Sequence, residues 1–494
     1  MPTAMTDAMH HAWPDALFDR VSGTRAMPGH RVQLVLDSRE HEPCALDLIA
    51  RARTHIHIEH YLAENDAWST SLLSALCQRA REGIQVRVLL DFMGSWRLGW
   101  GWGRALRAAG GELRWFNVPG LGEPLGWVVR NHRKLISIDG TDALMGGWCL
   151  SARWRGSQPN DPWRDTGVLV SGPVVALAEA AFGATWQLSG GSSAQPSSAP
   201  ASSLLMCHDD HFHDDVRVRL LAGRPQASPL FALEQLAMAS ARETLWITDA
   251  YPVGTPAWLD ALRRAAADGV DVRLLVPGST DLPLLGMLSR SSYRALLEAG
   301  IRVFEWNGGM LHAKSLVIDG HWSRVGSSNS NPASWLGNYE LDVVIEDAGF
   351  GDMMNTRFLI DLDHATEIVL RADRAVRAVP PTRPPGQERN TLIRTVKQAR
   401  LNAKTPLRVS RSVALAVREA RALPPSDAGL LALGGSLGLL VTLAGWLLPE
   451  WLAGGIALLS GLVSINLLRI ALRRYGLYRR GMMPSNPRDL SPPE

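Results

Sequence analysis

The chain has 494 residues, which is long enough for two or three domains with buried cores. Its formal net charge of +3 is too small to indicate a nucleic-acid or acidic-lipid partner by itself. The 4 cysteines form no CxxC pair, so we expect neither a disulfide framework nor a structural zinc site, and a reducing compartment is favoured. Residues 1–28 lack a basic segment followed by an apolar one, so we expect no cleaved secretory signal.

Helix and strand patterns alternate through the first part of the chain. A helical pattern over residues 71–81 precedes an apolar alternation over residues 83–90, which predicts a buried strand. A second helical stretch, residues 104–110, ends in glycine and leads into a short strand at residues 112–117. This alternation favours an α/β sandwich, in which helices cover a sheet.

The same order of elements recurs further along the chain. Helical patterns cover residues 256–267 and 293–300, and strand patterns cover residues 269–276 and 301–306. Each copy then reaches a strand signal that contains a histidine, and the two histidines lie 180 residues apart. That spacing indicates duplication of a whole domain rather than a solenoid of short repeats. We therefore predict two tandem α/β sandwich domains related by a pseudo-twofold axis.

Two changes of composition predict the domain boundaries. Residues 190–203 are rich in Gly, Ser, Ala and Pro without apolar periodicity, as in flexible linkers, and residues 380–386 are rich in proline. The predicted segments are an N-terminal tail (1–29), a first domain (30–187), a linker (188–203), a second domain (204–378), a proline-rich linker with a basic juxtamembrane helix (379–426), a transmembrane hairpin (427–474) and a tail (475–494).

The C-terminal part of the chain is typical of a membrane anchor. Residues 394–421 carry 8 Lys or Arg side chains against one acid, a composition that favours contact with anionic lipid. Residues 428–448 and 451–468 are uncharged and can each cross a bilayer. Arginines flank both outer ends, so the positive-inside rule predicts a hairpin in the cell inner membrane with the catalytic domains on its cytoplasmic face. The alternative is a buried helical pair of a soluble domain.

Two copies of an H-x-K-x4-D motif stand at equivalent places of the duplicated halves. They comprise His132, Lys134 and Asp139 in the first half and His312, Lys314 and Asp319 in the second. Residues two apart on an extended strand share a face, so each histidine points the same way as its lysine. One such motif is a weak signal. Two copies, each followed after six residues by Gly-Gly or Gly-Ser, predict one active site assembled from both halves.

These groups support exchange of a phosphodiester. A neutral imidazole attacks phosphorus to give a covalent phosphohistidine, while the other, protonated, donates to the leaving oxygen and later accepts the proton of the incoming hydroxyl. We expect both lysines, with Ser327 and Asn329, to bind the non-bridging phosphate oxygens. The cations come from the protein, so no metal and no nucleotide cofactor is expected. Asp139 and Asp319 end their strands and are expected to be structural supports.

Further matches surround the motifs, at residues 91–95, 163–166 and 329–340. With them, the chain resembles the phospholipase D superfamily, and within it the bacterial cardiolipin synthases, over roughly residues 31–347. The resemblance implies phospholipase D-like domains and a phosphatidyltransferase that joins phospholipids such as phosphatidylglycerol into cardiolipin at a membrane. No nucleic-acid partner is expected, because the catalytic halves lack a basic groove.

The resemblance also implies roles for individual residues. His132 is expected to be the nucleophile and His312 the general acid and base. Family precedent implies that a carboxylate beyond each motif orients its histidine, and Asp165 and Glu340 occupy those places. Where the family usually has asparagine after Gly-Gly, this chain has Cys149, whose thiol is a poorer hydrogen-bond donor than an amide.

Three alternative functions are compatible with these motifs or with the presence of Cys149. A hydrolytic phospholipase D would form the same intermediate and release it to water, giving phosphatidic acid. A nuclease of the superfamily would also carry both motifs. A non-catalytic lipid-binding scaffold is favoured only by Cys149 and opposed by the two complete His-Lys-Asp sets.

Two weaker features each allow two interpretations. Residues 207–215 contain Cys, His and Asp side chains that could bind a metal, although their spacing selects no geometry and a solvated lead-in to the second domain is favoured. The tryptophans Trp96, Trp100, Trp102 and Trp127 could enter a lipid interface or could pack a helix.

Overall fold

A computed structural model of the protein describes residues 15–119, 129–157, 161–192, 212–370 and 376–379. All of them belong to one compact unit, residues 1–417. A second unit, residues 418–494, lies outside the described residues, and so does the hairpin predicted at 427–474. Among the residues that are described, no helix has the length and apolar character needed to cross a membrane.

Strands and helices alternate as the sequence predicts. The strands are β1 (Met27–Leu36), β2 (His55–His60), β3 (Gln85–Asp91), β4 (Glu112–Phe116), β5 (Lys134–Ile138), β6 (Asp142–Gly146), β7 (Thr166–Ser171), β8 (Phe212–Gly223), β9 (Thr244–Thr248), β10 (Asp271–Pro277), β11 (Arg302–Trp306), β12 (Ser315–Ile318), β13 (Trp322–Gly326), β14 (Glu340–Glu346), β15 (Ala365–Leu370) and β16 (Val376–Val379). The helices are α1 (Asp15–Ser22), α2 (Asp37–Arg51), α3 (Ala67–Arg81), α4 (Phe92–Ser95), α5 (Trp100–Ala108), α6 (Val174–Leu188), α7 (Pro229–Ser240), α8 (Pro256–Ala267), α9 (Pro283–Ser291), α10 (Tyr293–Glu298) and α11 (Ala348–Asp363).

Capping side chains at the start and glycines after the end set the limits of corresponding helices in the two halves. The side chain of Asp66 accepts the backbone N–H of Ser69 at 3.0 Å to cap α3, and the hydroxyl of Thr255 caps α8. Just past these helices, Gly83 and Gly269 both adopt a φ of +89°, which favours glycine and turns the chain into β3 and β10. The duplicated sequence thus sets the same helix limits twice.

The strand order shows the duplication directly. The described strands form one sheet in the order β16-β15-β11-β10-β9-β12-β13-β14-β8-β1-β7-β6-β5-β2-β3-β4. Outward from the antiparallel pair of β1 and β8, one side reads β7, β6, β5, β2, β3, β4, and the other reads the corresponding strands β14, β13, β12, β9, β10, β11, followed by the additional strands β15 and β16. An order that is palindromic about an antiparallel pair is what a pseudo-twofold relation between the halves requires. The α/β fold with this symmetry is confirmed.

The sheet curls until its two halves face each other. β13 contacts β6 and β7, although three or four other strands separate them along the sheet. In this shared core, Val168 of β7 and Val343 of β14 belong to one buried cluster that contains residues of both halves. Their neighbours Leu169 and Val344 point to the opposite face and pack in the separate core of their own half. The two halves therefore fold around a common apolar layer.

A buried ion pair also joins the halves. The Nε of Arg164 donates to the two carboxylate oxygens of Asp361 at 2.9 and 3.1 Å, and both side chains are buried. Asp361 lies in α11 of the second half, whereas Arg164 immediately precedes β7 of the first. Each charge offsets the cost of burying the other away from water. Removal of one side chain therefore leaves the other as a buried charge without an ion-pair partner.

We expect Asp361→Ala to lower the free energy of unfolding by about 3–5 kcal/mol, because it leaves the Arg164 guanidinium buried without its main partner. Glu298→Ala is the matched control, since it removes a carboxylate from an exposed pair with Arg294, and we expect less than about 1 kcal/mol. Denaturant unfolding of the purified proteins measures both values. Equal, small effects would show that the pair does not hold the halves together.

Candidate active site

The motif histidines lie at the junction of the two halves. The backbone N–H of His132 donates to the carbonyl of Tyr339 at 2.8 Å, and that of His312 donates to the carbonyl of Arg164 at 2.7 Å. Each histidine thus takes its position from the opposite half. Short parallel bridges, between Asn131 and Tyr339 and between the residues before His312 and Asp165, hold the crossing segments together.

Two carboxylates cross between the halves to orient the imidazoles. Nδ1 of His132 lies 3.0 Å from both carboxylate oxygens of Glu340, and Nδ1 of His312 lies 2.9 Å from Oδ2 of Asp165. The expectation that each carboxylate orients the histidine of its own motif is therefore wrong. The bridges carry Asp165 and Glu340 across the pseudo-twofold axis to the histidine of the other half. A carboxylate that accepts the Nδ1 proton leaves the lone pair on Nε2.

Burial sets the protonation of these pairs. Burial, reinforced by the Lys314 ammonium, lowers the pKa of His312 to about 4, and burial also lowers the pKa of His132. Burial alone would raise the pKa of Asp165, but its interactions with His312 outweigh that effect and the pKa falls to about 2. The pKa of Glu340 is lowered for the same reason by His132. At neutral pH each pair therefore holds an ionised carboxylate against a neutral imidazole.

Two buried lysines supply positive charge beside the imidazoles. Nζ of Lys134 donates to the carbonyl of His132 at 2.6 Å, and Nζ of Lys314 lies 2.9 Å from Nδ1 of His312. Burial lowers the pKa of both ammonium groups, and the value of about 8 for Lys314 leaves that group mostly charged at neutral pH. Cations with so few polar partners favour an anionic ligand, and a phosphodiester fits this requirement.

The two predicted phosphate ligands have different surroundings. Asn329 is buried, and its Oδ1 has no hydrogen-bond partner among the described residues. A phosphate oxygen would need the N–H₂ of this amide, because the amide oxygen only accepts hydrogen bonds. The hydroxyl of Ser327 instead donates to Glu340 at 2.5 Å and accepts the backbone N–H of Leu341 at 2.8 Å. Those contacts support a role in positioning Glu340 rather than in binding phosphate, because the hydroxyl proton is already engaged.

The motif aspartates lie at the other end of their strands. The carboxylate of Asp139 accepts the backbone N–H groups of residues 53, 54 and 55 at 2.8 to 3.0 Å, and Asp319 accepts those of residues 242, 243 and 244 at 2.8 to 3.2 Å. Both aspartates have positive φ, 55° and 51°. In the first half, Asp139 joins the turn after β5 to the start of β2. In the second half, Asp319 joins the turn after β12 to the start of β9, so both aspartates have a structural role.

Three aromatic side chains at the site were not predicted. Trp154 donates its indole N–H to Oδ2 of Asp165 at 2.7 Å, and its ring lies 5.0 Å from that of His312. Tyr61 lies 5.0 Å from the His132 ring and Tyr251 lies 6.1 Å from the His312 ring. Tyr61 directly follows β2, and Tyr251 follows β9 by three residues, so each tyrosine stands just past the end of a corresponding strand.

Comparison with known proteins agrees with this geometry. A family model described as cardiolipin synthase, PLD-like domain, matches residues 235–361. A cardiolipin synthase of Halalkalibacterium halodurans is 31% identical over 346 residues, which cover 68% of this chain and 67% of that protein. Cardiolipin synthase A of Pseudomonas putida strain W619 is 30% identical over 393 residues, which cover 74% of this chain and 79% of that protein. The chain belongs to the cardiolipin synthase family.

A solved structure supports the fold assignment for this cardiolipin synthase family member. The crystal structure of a phosphatidylserine synthase from Haemophilus influenzae Rd KW20 aligns with a TM-score of 0.52 and covers 80% of this chain and 99% of that one. The sequences are 13% identical, so the likeness shows the phospholipase D-like fold alone. Its membership of the cardiolipin synthase family identifies the protein as a phosphatidyltransferase of the phospholipase D superfamily.

One position of the site departs from its counterpart in the other half. Cys149 stands where Asn329 stands in the second half, 17 residues after the motif histidine, and it is buried. Burial raises the pKa of its thiol above the usual value, although the charges of Lys134 and Lys314 oppose this. A neutral thiol beside two ammonium groups donates a weaker hydrogen bond than an amide. At this pair of positions the second half therefore carries the stronger neutral donor.

We expect Glu340→Gln to reduce the turnover number for phosphatidyl transfer by about 10²- to 10⁴-fold, because a neutral amide neither fixes the His132 tautomer nor stabilises the imidazolium. Glu367→Gln is the control, since that carboxylate pairs with Arg302 at the edge of the sheet. Initial rates on lipid vesicles measure both variants. A turnover number within threefold of the wild type for Glu340→Gln would remove Glu340 from the catalytic set.

Proposed function

We propose that the protein transfers a phosphatidyl group from one phospholipid to the hydroxyl of another, with two phosphatidylglycerol molecules giving cardiolipin and glycerol. The observation that carries this proposal is the crossed arrangement of two imidazoles, each bound through Nδ1 by a carboxylate of the other half, beside two buried ammonium groups. These are the groups that a two-step phosphodiester exchange needs, and family membership supports the lipid substrates.

In the first step, Nε2 of His132 attacks the phosphorus of the first phosphatidylglycerol. The P–N bond forms as the bond from phosphorus to the glycerol oxygen breaks, and the imidazolium of His312 donates its proton to that oxygen. His312 is neutral in the free site, so the bound phosphate anion has to favour its protonated form. Lys134, Lys314 and Asn329 would bind the non-bridging oxygens and stabilise the transition state.

In the second step, the headgroup hydroxyl of another phosphatidylglycerol attacks the phosphohistidine. Its proton passes to the now neutral His312, the new P–O bond forms and the P–N bond to His132 breaks. One phosphodiester replaces another, so the exchange consumes no nucleotide. The side chain of His132 is 13% exposed and that of His312 is 7% exposed, which favours His132 as the group that meets the phosphorus.

Incubation of the purified protein with phosphatidylglycerol vesicles, followed by mass spectrometry of the lipids, tests the function. We expect cardiolipin and glycerol in equal amounts, and a loss of about 10³-fold or more for His132→Ala and for His312→Ala, because each removes one of two cooperating groups. His364→Ala, an exposed histidine away from the motifs, is the control. Phosphatidic acid as the main product would identify a hydrolase, and no turnover of the lipid would contradict the proposal.

Apolar side chains exposed near the site support contact with lipid. Trp96 and Trp100 are 61% and 73% exposed, and Ser95, just before Trp96, donates to the carbonyl of Tyr61 at 3.1 Å. The Tyr61 ring in turn contacts the ring of His132. Indoles favour the interface between water and hydrocarbon. The buried Trp102, which donates to a backbone carbonyl, packs its helix instead, and Trp127 lies outside the described residues.

The second half repeats this arrangement. Leu282 and Met287 are 46% and 69% exposed, and Asp281, just before Leu282, accepts the hydroxyl of Tyr251 at 2.5 Å. The Tyr251 ring lies near that of His312. Exposed apolar groups therefore follow β3 and β10, next to the residues that contact each motif histidine. Together with the uncharged segments at 428–448 and 451–468, they support a protein that acts at the cytoplasmic face of the inner membrane.

We expect the full chain to remain in the membrane pellet after an alkaline carbonate wash, because two apolar segments hold it in the bilayer. A tag placed after residue 494 should resist protease added to spheroplasts and be cleaved in inverted vesicles, because the arginines keep the C-terminal end inside. Release by carbonate would contradict the hairpin. Cleavage of the tag in spheroplasts would contradict its orientation.

A further inference from the structure

A cluster of potential metal ligands lies on β2 and α6, at the end of β2 remote from the motif histidines. His55, His57 and Glu179 each offer one nitrogen or oxygen atom, and these atoms all lie within 4.8 Å of one another. Nε2 of His55 lies 2.8 Å and Nδ1 of His57 lies 3.5 Å from Oε1 of Glu179. All three side chains are buried. Two imidazoles and a carboxylate converge here without any part in the chemistry proposed above.

His57 is the least satisfied member of the cluster. Its Nε2 has no polar partner within the described part of the chain, and its Nδ1 has only the carboxylate of Glu179 at 3.5 Å, too far for a well-formed hydrogen bond, although the residue is only 4% exposed. A buried polar group without a partner is costly, and such a group is uncommon unless water, an ion or a ligand completes it.

The other half of the protein shows that the fold does not need these groups. Ile58 pairs with Ile136 and Ile247 pairs with Leu316, four residues after each motif histidine, so His57 corresponds to Trp246 and His55 to Thr244. The corresponding rings occupy the same environment in both halves. The imidazole at position 57 stacks on Phe182 at 4.5 Å, and the indole at position 246 stacks on Phe358 at 5.2 Å.

The third ligand is also specific to the first half. Glu179 stands three residues before Phe182, and Asn355 stands three residues before Phe358. Both approach the glycine that follows the motif aspartate, since Gly140 donates its N–H to Glu179 at 3.2 Å and a Cβ at Gly320 would lie 3.0 Å from the Asn355 amide. An uncharged amide therefore suffices at this turn. Three ligand-type side chains replace Thr, Trp and Asn together, which a packing role alone does not explain.

We propose that His55, His57 and Glu179 bind a divalent transition-metal ion, with zinc as the best fit, in a structural site separate from the catalytic one. Zinc takes imidazole nitrogen and carboxylate oxygen at about 2.0–2.2 Å, so ligand atoms around a tetrahedral ion lie roughly 3.4 Å apart. The observed separations of 2.8 and 3.5 Å bracket that value. Water completes the fourth position, and His55 would bind the ion through Nε2 as the neutral tautomer that carries its proton on Nδ1, which lies 3.0 Å from the hydroxyl of Thr54.

The ion would join two elements that hold the segment around His132. Glu59, on the same strand as His57, accepts the side-chain amide of Asn131 at 2.7 Å and the hydroxyl of Thr185 in α6 at 2.6 Å. The carbonyl of Ala181, also in α6, accepts the guanidinium of the residue after His132 at 2.8 Å. An ion that links β2 to α6 would therefore stabilise the two elements that hold the first motif. It would not contact the substrate, so we expect it to affect the stability of the protein more than its activity.

Metal titration of the untagged, EDTA-dialysed full chain tests this site. We expect one Co²⁺ per chain, with the visible absorption of a tetrahedral ion, and a rise in the midpoint of thermal unfolding with Zn²⁺. His57→Gln should weaken Co²⁺ binding by about tenfold or more and abolish the thermal shift, because it removes one ligand. Trp246→Phe, at the corresponding position of the second half, is the matched control and should leave both readouts unchanged.

Two further variants separate this site from other histidines. His132→Ala with His312→Ala should still bind one ion, and so should His208→Ala with His211→Ala, since neither pair belongs to the cluster. The first of these also keeps the test independent of lipid turnover. Loss of the bound ion in either double variant, or a wild-type chain that binds no ion, overturns the proposal even if His57→Gln fails to fold.

Discussion

The crossed contacts between carboxylates and imidazoles are the constraint on which the site depends. Glu340 reaches His132 and Asp165 reaches His312 only because the two halves are held face to face across a pseudo-twofold axis. The antiparallel pair of β1 and β8, the shared apolar core and the buried pair of Arg164 with Asp361 all serve that placement. Neither half contains a complete carboxylate–imidazole pair by itself, so both halves are needed to form the site.

Burial gives these groups their chemistry. Away from water the imidazoles are neutral, the carboxylates remain ionised through their partners, and Lys314 keeps most of its charge with few neutralising contacts. Such a site favours a ligand that carries negative charge and that a neutral imidazole can attack. A phosphodiester has both properties. Stability and function compete at this point, because buried ammonium groups destabilise the folded chain until a ligand neutralises them.

The two halves share a fold but have diverged at particular positions. The second half has Asn329, Trp246 and Asn355 where the first has Cys149, His57 and Glu179. The strand registers match at His57 and Trp246, so the difference at that position lies in side-chain chemistry. A pseudo-symmetric protein provides its own control in this respect, because each half shows what the fold tolerates in the other.

The sequence by itself determined the elements, the duplication and the motif residues, because helix and strand periodicity, glycine turns and H-x-K-x4-D spacing are local properties of the chain. It also predicted that Asp139 and Asp319 are structural supports at the ends of their strands. Only the tertiary structure decided which carboxylate meets which imidazole, that Ser327 positions Glu340, and that Trp154 supports Asp165. Those contacts join residues of different halves or different loops. Their pairing follows from the curl of the sheet and the packing of the shared core, which no local pattern encodes.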